Sequence, residues 1–442
     1  MNIAILGTGY VGLVAAVCFA DAGHEVICVD SNENKISTLK DGKVPFYEPG
    51  LDDLFNLNAK RMTFTRSIAE AVDKAQVVFI AVGTPEQPDG SADMEPTFKV
   101  LGEICKAAKA PKFVVLKSTV PIGTALKARN FVKENASQDL EIINNPEFLR
   151  QGAAVEDFLK PDRVVIGCTS DKAKALMQEL YEPFVTKNGG KPILFMDNTS
   201  AEMTKYAANS FLAIKISFIN ELALLADKLG ADIESVRAGF TSDNRINPSF
   251  FSPGIGYGGS CFPKDVRALI HTGKQHDLEL KLLRAADDVN ERQKGILTQR
   301  LMDRVGSLKG KTIAVWGLAF KPRTDDVRRA PSLKIIEDLF LNGAKVRAFD
   351  PVAKDNALES TRVPFEACDS AMEAIDGADA LLIVTEWPEF RSVNWRTVKA
   401  KMKQPLVFDG RNLYDPAKMK AVGVEYFGIG RQIRGEAEPA RA

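Results

Sequence analysis

Cys261 stands at the end of a glycine-rich run, GIGYGGSCFPKD, over residues 254–265. The segment that follows, PKDVRALIHTGK, reads as a helix with Pro263 at its first position. Cys261 would then sit just before a helix N-terminus with Lys264 close by, and both features favour the nucleophilic thiolate. Gly258 and Gly259 would remove side chains from the approach to the sulfur, and Asp265 could orient a water or a nearby lysine. The plainer reading of Cys261 is a buried, inert thiol. Lys205 and Asn209 are a second pair with chemical potential: four residues apart, they share one helix face. That face is either solvated or lies beside a cleft, where a lysine stabilises developing negative charge.

A third constellation binds rather than reacts. NIAILGTGYVGLVAAVCFADAGHEVICVD reads as strand, turn, helix, turn, strand. Gly7, Gly9 and Gly12 form G-x-G-x-x-G after the first strand, and Asp30 ends the second about 18 residues beyond the last glycine, close to the expected ~20. Gly7 permits the tight turn, Gly9 a close approach of pyrophosphate, and Gly12 close packing of helix on strand. The helix N-terminus favours the phosphates. Asp30 would accept from the adenosine ribose hydroxyls and repel a 2′-phosphate, so NAD is expected rather than NADP. A doubly wound fold without a dinucleotide is the alternative. Joined to nicotinamide, a reactive Cys261 suggests thioester chemistry: an aldehyde adds the thiolate, the adduct loses hydride, and water releases an acid.

Elements must position these groups. AQVVFIAVGTP, KFVVLKSTV and LEIINNPEF read as further strands. Ligands bind at the C-terminal ends of such strands, which makes Thr84, Thr119 and Glu147 site candidates; each could instead be a turn residue or a helix cap. TSAEMTKYAANSFLAIKISFINELALLADKLG predicts one long helix with a capping box from Thr199 to Glu202 and a stop at Gly230. Its ~30 residues would reach about 45 Å. Phe211, Ile214, Phe218, Leu222 and Leu225 keep an apolar stripe along it. TIAVWG, SLKIIEDLFLNGA and KVRAFDP echo the first unit with GLAFK in place of the glycines, and ADALLIVTEW and PLVFDGR add strands. The expectation is therefore an α/β chain with two doubly wound Rossmann-like domains joined by a long central helix. The expected bounds are 1–195 for NAD, 196–300 for dimerisation and the cysteine loop, 301–430 for the nucleotide sugar, and 431–442 as a disordered tail.

Composition narrows the classes. The 58 basic and 58 acidic residues cancel, so no basic surplus calls for nucleic acid. Six cysteines without a CxxC pair fit a reducing, cytoplasmic setting, and three histidines argue against zinc. No uninterrupted apolar run approaches the ~20 residues of a membrane span, and the apolar N-terminal run lacks the basic flank of a signal peptide. No membrane partner is expected.

With these motifs assembled, the sequence is similar to the UDP-glucose/GDP-mannose dehydrogenase family from about residue 1 to 430. The resemblance rests on GTGYVG, VGTP, KSTVPIGT, NPEFLRQG, KYAANSFLAIKISFINE, GIGYGGSCFPKD, GLAFKPRTDDVRRAPS and FDGR. Relatives acting on UDP-N-acetylmannosamine typically carry Gly-Gly-His-Cys where this chain has Gly-Gly-Ser-Cys. The resemblance implies that UDP-glucose, two NAD⁺ and water give UDP-glucuronate and two NADH, with GDP-mannose or another nucleotide sugar as the alternative substrate and a non-catalytic NAD sensor as the alternative class. It implies Cys261 as nucleophile, Lys205 and Asn209 as stabilisers of the oxyanion, and Asp265 as an acid working with Lys205 through water. Thr119 would hold a catalytic water and Glu147 would assist thioester hydrolysis.

Cofactor contacts would come from Val11, Asp30, Lys35, Thr84, Thr119, Lys264 and Arg328. Gln151 replaces a glutamate found in many members, removing a negative charge at the cofactor. Substrate contacts would come from Phe148, Leu149 and Arg150, then from Phe250, Phe251, Ser252, Gly254 and Gly258, and from Lys321 and Arg411. Arg245 would be contributed by a neighbouring subunit, which implies at least a homodimer. Glu147 would serve as a base if burial raises its pKa, and a hinge along the central helix would close both lobes on the substrate.

Overall fold

Ile3–Leu6 and Val77–Ile80 are runs of consecutive buried apolar residues, the composition of strands covered on both faces. In the computed structural model, which describes residues 1–186 and 189–431, they pair as neighbours in a parallel sheet. The chain divides into two compact units. The first comprises Met1–Ala208 and Ala268–Leu278; the second comprises Asn209–Arg267 and Glu279–Ala442. The expected tail, from residue 432 on, lies outside the described residues.

The first unit is built on eight strands: β1 (Asn2–Leu6), β2 (Glu25–Val29), β3 (Met62–Thr65), β4 (Val77–Ile80), β5 (Lys112–Leu116), β6 (Leu140–Asn144), β7 (Val164–Gly167) and β8 (Ile193–Met196). Their order is β3-β2-β1-β4-β5-β6-β7-β8. Every pairing is parallel except β6 with β7, where Asn144 meets Gly167. β1 lies between β2 and β4, with Ile3 opposite both Val26 and Val77, so strand order reverses at β1. That reversal opens a crevice above the C-terminal end of β1, where the glycine turn lies. Helix α1 (Tyr10–Asp21) follows the turn and is buried almost all round. β3, β7 and β8 go beyond the sequence reading: they are short and half-exposed or follow loops rich in charge, and alternation alone does not mark them.

The second unit holds β9 (Thr312–Trp316), β10 (Lys345–Phe349), β11 (Glu366–Ala367), β12 (Ala380–Ile383), β13 (Leu406–Asp409) and β14 (Glu425–Phe427), all parallel in the order β11-β10-β9-β12-β13-β14. It repeats the first unit's reversal at β9. Asp350, one residue past β10, occupies the position that Asp30 has past β2. Its Oδ2 accepts from the N–H groups of Leu318 and Ala319 and from Trp387 Nε1, and its Oδ1 from the N–H groups of Val352 and Ala353.

Helix α2 (Asn198–Leu229) starts in the first unit and ends in the second. The capping box expected from Thr199 to Glu202 does not form. The helix begins at Asn198, and Asp197 accepts from Ser200 N–H at 2.9 Å. Glu202 instead accepts from Gly123 N–H at 2.6 Å and Ala125 N–H at 2.7 Å, and so caps the separate helix Thr124–Asn135. By length and composition α2 could cross a membrane, with a mean hydropathy of 1.3 in its most apolar window. Yet it carries buried Glu202, Lys205, Asn209 and Asn220, each hydrogen-bonded, as in the core helix of a folded protein. Phe211, Phe218 and Leu225 of its apolar stripe are exposed.

Candidate active site

The glycine turn has the form of a dinucleotide cradle. Gly7 has φ +104°, and a Cβ there would lie 2.7 Å from Ala81 O; a Cβ on Gly12 would lie 1.8 Å from Gly7 O. These two are fixed by packing within the chain. Gly9, at the helix N-cap, would have open space around a Cβ, so nothing in the protein itself demands glycine there. That open space is where the dinucleotide motif expects a close approach of pyrophosphate. Asp30 Oδ2 accepts from Thr8 N–H at 2.9 Å and Thr8 Oγ1 at 2.7 Å, and Oδ1 accepts from Asn32 N–H at 2.9 Å. Burial pushes the Asp30 carboxyl up, but these hydrogen bonds and Lys35, 4.0 Å away, hold it below its ordinary value. A carboxylate has about four acceptor sites, so Oδ1 retains capacity for a ribose hydroxyl. Val11 is half-buried beside the turn. Thr84 is buried and donates through Oγ1 to the carbonyl of Thr119 at 2.9 Å, which ties the ends of the segments after β4 and β5 together.

Glu147 and Lys205 form a buried ion pair, Lys205 Nζ donating to Glu147 Oε1 at 3.0 Å with each side chain only 4% exposed. Glu147 Oε2 accepts from Leu149 N–H at 2.6 Å. Burial alone would raise this carboxyl. Lys205, the Leu149 N–H and the charge of Lys117 outweigh burial and hold it below its ordinary value. The burial-raised base considered from sequence is therefore not what the fold provides; Glu147 is a paired, ionised carboxylate. The Phe148 ring lies under Lys205 Nζ at 5.2 Å and under the Arg163 guanidinium at 3.8 Å. Arg150 is turned to Asp157, with Nη2 at 2.5 Å, and Gln151 is half-buried next to it. Thr119, Ser118, Asn144, Pro146, Glu202 and Lys205 line a cavity of about 10 Å³, roughly the space of one water.

In the second unit Cys261 directly precedes helix α3 (Phe262–Gln275) and is the one cysteine of six that is not buried. By contrast, burial pushes the Cys28 thiol up to about 12. Asp265 is fully buried. It accepts from Lys264 Nζ at 2.7 Å and Asn209 Nδ2 at 2.7 Å, and its N–H donates to the Cys261 carbonyl at 2.8 Å. Lys264, next to the helix N-terminus that follows Cys261, thus donates to Asp265. The glycines have a different cause from the one expected. A Cβ on Gly258 would lie 2.4 Å from Arg329 O, and one on Gly259 2.9 Å from the Phe320 ring, so both are required by packing of the loop on the GLAFKPRTDDVRRAPS segment.

Three buried amides that the sequence did not mark pin this loop: Asn220 accepts from Gly254 N–H at 2.7 Å, Gln293 donates to Gly254 O at 2.6 Å, and Asn290 accepts from Tyr257 N–H at 2.7 Å. Phe250 has φ +68° and Phe251 is buried under Lys215 Nζ at 4.4 Å from its ring, while Ser252 is exposed. Lys321 Nζ lies 5.5 Å from the Phe320 ring. Arg411 Nε donates to Val384 O at 2.8 Å and faces Glu386 at 3.2 Å. Arg328 is half-exposed on Asp326, and Arg245 is exposed and folded onto Asp243. Among the described residues no three His, Cys, Asp or Glu side chains group as a metal site.

Residues 1–185, 199–292 and 314–416 match, in order, the NAD binding, central and UDP binding domains of the UDP-glucose/GDP-mannose dehydrogenase family. The chain is 45% identical to a UDP-glucose 6-dehydrogenase of Pseudomonas aeruginosa, covering 100% of both chains. It is 43% identical to UDP-glucose 6-dehydrogenase TuaD of Bacillus subtilis, over 99% of this chain and 95% of that one. Among solved structures, a UDP-glucose dehydrogenase of Pyrobaculum islandicum superposes with a TM-score of 0.89 at 37% identity, covering 97% of each chain.

Proposed function

Because the chain belongs to the UDP-glucose/GDP-mannose dehydrogenase family, we propose that it oxidises UDP-glucose to UDP-glucuronate with two NAD⁺. The full-length 45% identity to a UDP-glucose 6-dehydrogenase carries this reading above all. The glycine turn and Asp30 would hold NAD, which would supply the hydride acceptor for each oxidation. In the first the sugar's primary alcohol loses a hydride and a proton and becomes an aldehyde. The Cys261 thiolate then adds to the aldehyde carbon. Loss of a second hydride leaves a thioester on Cys261. Water attacks its carbonyl, the carbon–sulfur bond breaks, and the acid departs with the thiolate restored.

Lys205 and Asn209 stabilise the oxyanion, where charge develops in both additions. Glu147 receives the proton of the attacking water, with Thr119 holding that water; Asp265 sets Lys264 and Asn209. The remaining assignments, from Gln151, Lys35 and Arg328 at the cofactor to Phe148, Leu149, Arg150, Ser252, Lys321 and Arg411 at the substrate, are part of the same reading. Two NADH per UDP-glucose consumed is the expected stoichiometry. A ratio of one would overturn the thioester step, and turnover of GDP-mannose instead of UDP-glucose would overturn the substrate.

Residues 196–300 serve as the dimerisation domain. The exposed stripe Phe211, Phe218 and Leu225 recurs every seven residues and leaves one flank of α2 to a second copy. Arg245 reaches the substrate of that copy. Phe211→Glu with Phe218→Glu is expected to convert the sedimenting species to monomer and to lose activity with it. Six free thiols fit a cytoplasmic protein.

A further inference from the structure

Lys117 ends the strand run KFVVLK and enters none of the roles above. It is 4% exposed and directly follows the C-terminal end of β5. Its ammonium meets two neutral oxygens: Nζ donates to Asn145 Oδ1 at 2.9 Å and to Tyr181 Oη at 3.2 Å, and the Tyr181 hydroxyl donates in turn to Asn145. Nζ also lies 5.6 Å from the centres of the Phe158 and Tyr181 rings. Asn145 Nδ2 is anchored on Val165 O, so the acceptor oxygen is fixed in place.

A cation taken out of water without a bonded anion is costly, and a merely structural site would be filled more cheaply by an apolar side chain. The charge has an electrostatic partner instead. The Lys117 acceptor, Asn145, precedes Glu147 by two residues on the segment that follows β6, which brings the opposite charges near one another; each favours the other's charged form, though burial is the larger influence on both.

We propose that Lys117 is a positioning residue for Glu147: its buried ammonium is the counter-charge that keeps that carboxylate ionised when Lys205 leaves it to stabilise the oxyanion. This rests on the roles given above to Lys205 and Glu147. In the resting arrangement Lys205 neutralises Glu147 directly. Once Lys205 is engaged by the substrate, a buried Glu147 without another cation would take up a proton and lose its capacity as a base. Lys117 cannot be drawn away likewise, because Asn145, Tyr181 and the two rings hold its ammonium. Burial pushes its own pKa down to about 8, so it is charged at neutral pH. Besides Glu147, Lys205 opposes its charge, and Tyr181, which it touches, is pushed by burial above its ordinary value and so is neutral. Glu202 lines the cavity beside Lys205.

The test is Lys117→Met, with Lys117→Gln as the variant that keeps an N–H for Asn145 if the first does not fold. Glu147 titration would be followed by isotope-edited infrared spectroscopy of the carboxylate in the folded protein, with Glu147→Gln as the blank. In parallel, the pH profile of kcat would be recorded for UDP-glucose oxidation. The expected result is a Glu147 carboxyl that titrates about one pH unit higher, an acid limb of kcat displaced by the same amount, and KM for NAD unchanged. On that limb turnover falls about tenfold. An unmoved Glu147 titration in a folded variant overturns the inference. A moved titration with an unmoved kcat profile upholds the charge coupling and removes Glu147 from the role of base.

Discussion

Cys261→Ser lowers turnover of UDP-glucose to the acid by on the order of 10⁴-fold or more, the scale on which nucleophile replacements fall. The loss is confined to chemistry. The loop backbone is held by Asn220, Asn290 and Gln293 and by packing against Arg329 and Phe320, through backbone groups at Gly254, Tyr257, Gly258 and Gly259 rather than through the Cys261 side chain. Folding and NAD binding are therefore expected to be unchanged. A serine hydroxyl at this helix N-terminus is far less acidic than a thiol, so it adds poorly to an aldehyde and forms no thioester. Steady-state NADH production and NADH binding by fluorescence measure the two halves of this expectation. NADH formation at the normal rate would sink the thioester route.

Lys205→Met is the second large effect, and it acts on both activity and stability. Removal of one preorganised stabiliser of developing charge costs about 10²–10³-fold in kcat. It also strands Glu147, 4% exposed, with the Leu149 N–H and the more distant Lys117. Breaking a buried pair by removing one member costs ~3–5 kcal/mol, to be read from denaturant unfolding. The sign of its pH dependence follows. In the parent protein the Glu147 carboxyl is held low, so its contribution is present above the unfolded value and lost as pH falls through the folded one. In the variant that carboxyl rises, and the penalty is largest at neutral pH and shrinks on acidification, because protonation removes the buried charge. Lys205→Met combined with Glu147→Gln is expected to regain most of the stability and none of the activity. A double variant as unstable as the single one would mean that the pair is not the source of the loss.

What the sequence disclosed and what it withheld divide along physical lines. The turn through Gly7, Gly9 and Gly12 was legible because its constraints are local: a backbone angle, a close contact and a strand–helix junction all lie within a few residues. Asp30 followed from spacing along one βαβ unit. Lys205 and Glu147 lie 58 residues apart, and no periodicity couples them; their pairing, and hence the lowered rather than raised Glu147 carboxyl, required the fold. Glu202 made the local signature of a capping box and instead capped a helix far away in sequence, since a side chain answers to whichever unpaired N–H groups the packing brings near. Gly258 and Gly259 were flagged correctly as unusual, but for access to the sulfur rather than for contact with Arg329 and Phe320. Lys117 did leave a trace: a charge closing the apolar run of residues 113–116. The two doubly wound sheets were visible in the echo of strand–helix–strand units, whereas the reversed β7–β8 pair was not, because direction is a property of connections and not of the strands themselves.

Asp30 and Asp350 occupy matching corners of two similar sheets, yet mutation would meet them as different kinds of residue. Asp30 has acceptor capacity left over, so under the proposed function a change there is expected to alter which dinucleotide is used. Asp350 is saturated by five N–H donors of its own lobe. A change there leaves those donors orphaned and alters only how much folded protein exists. The same corner that is open to a ligand in the first sheet is a keystone of the fold in the second.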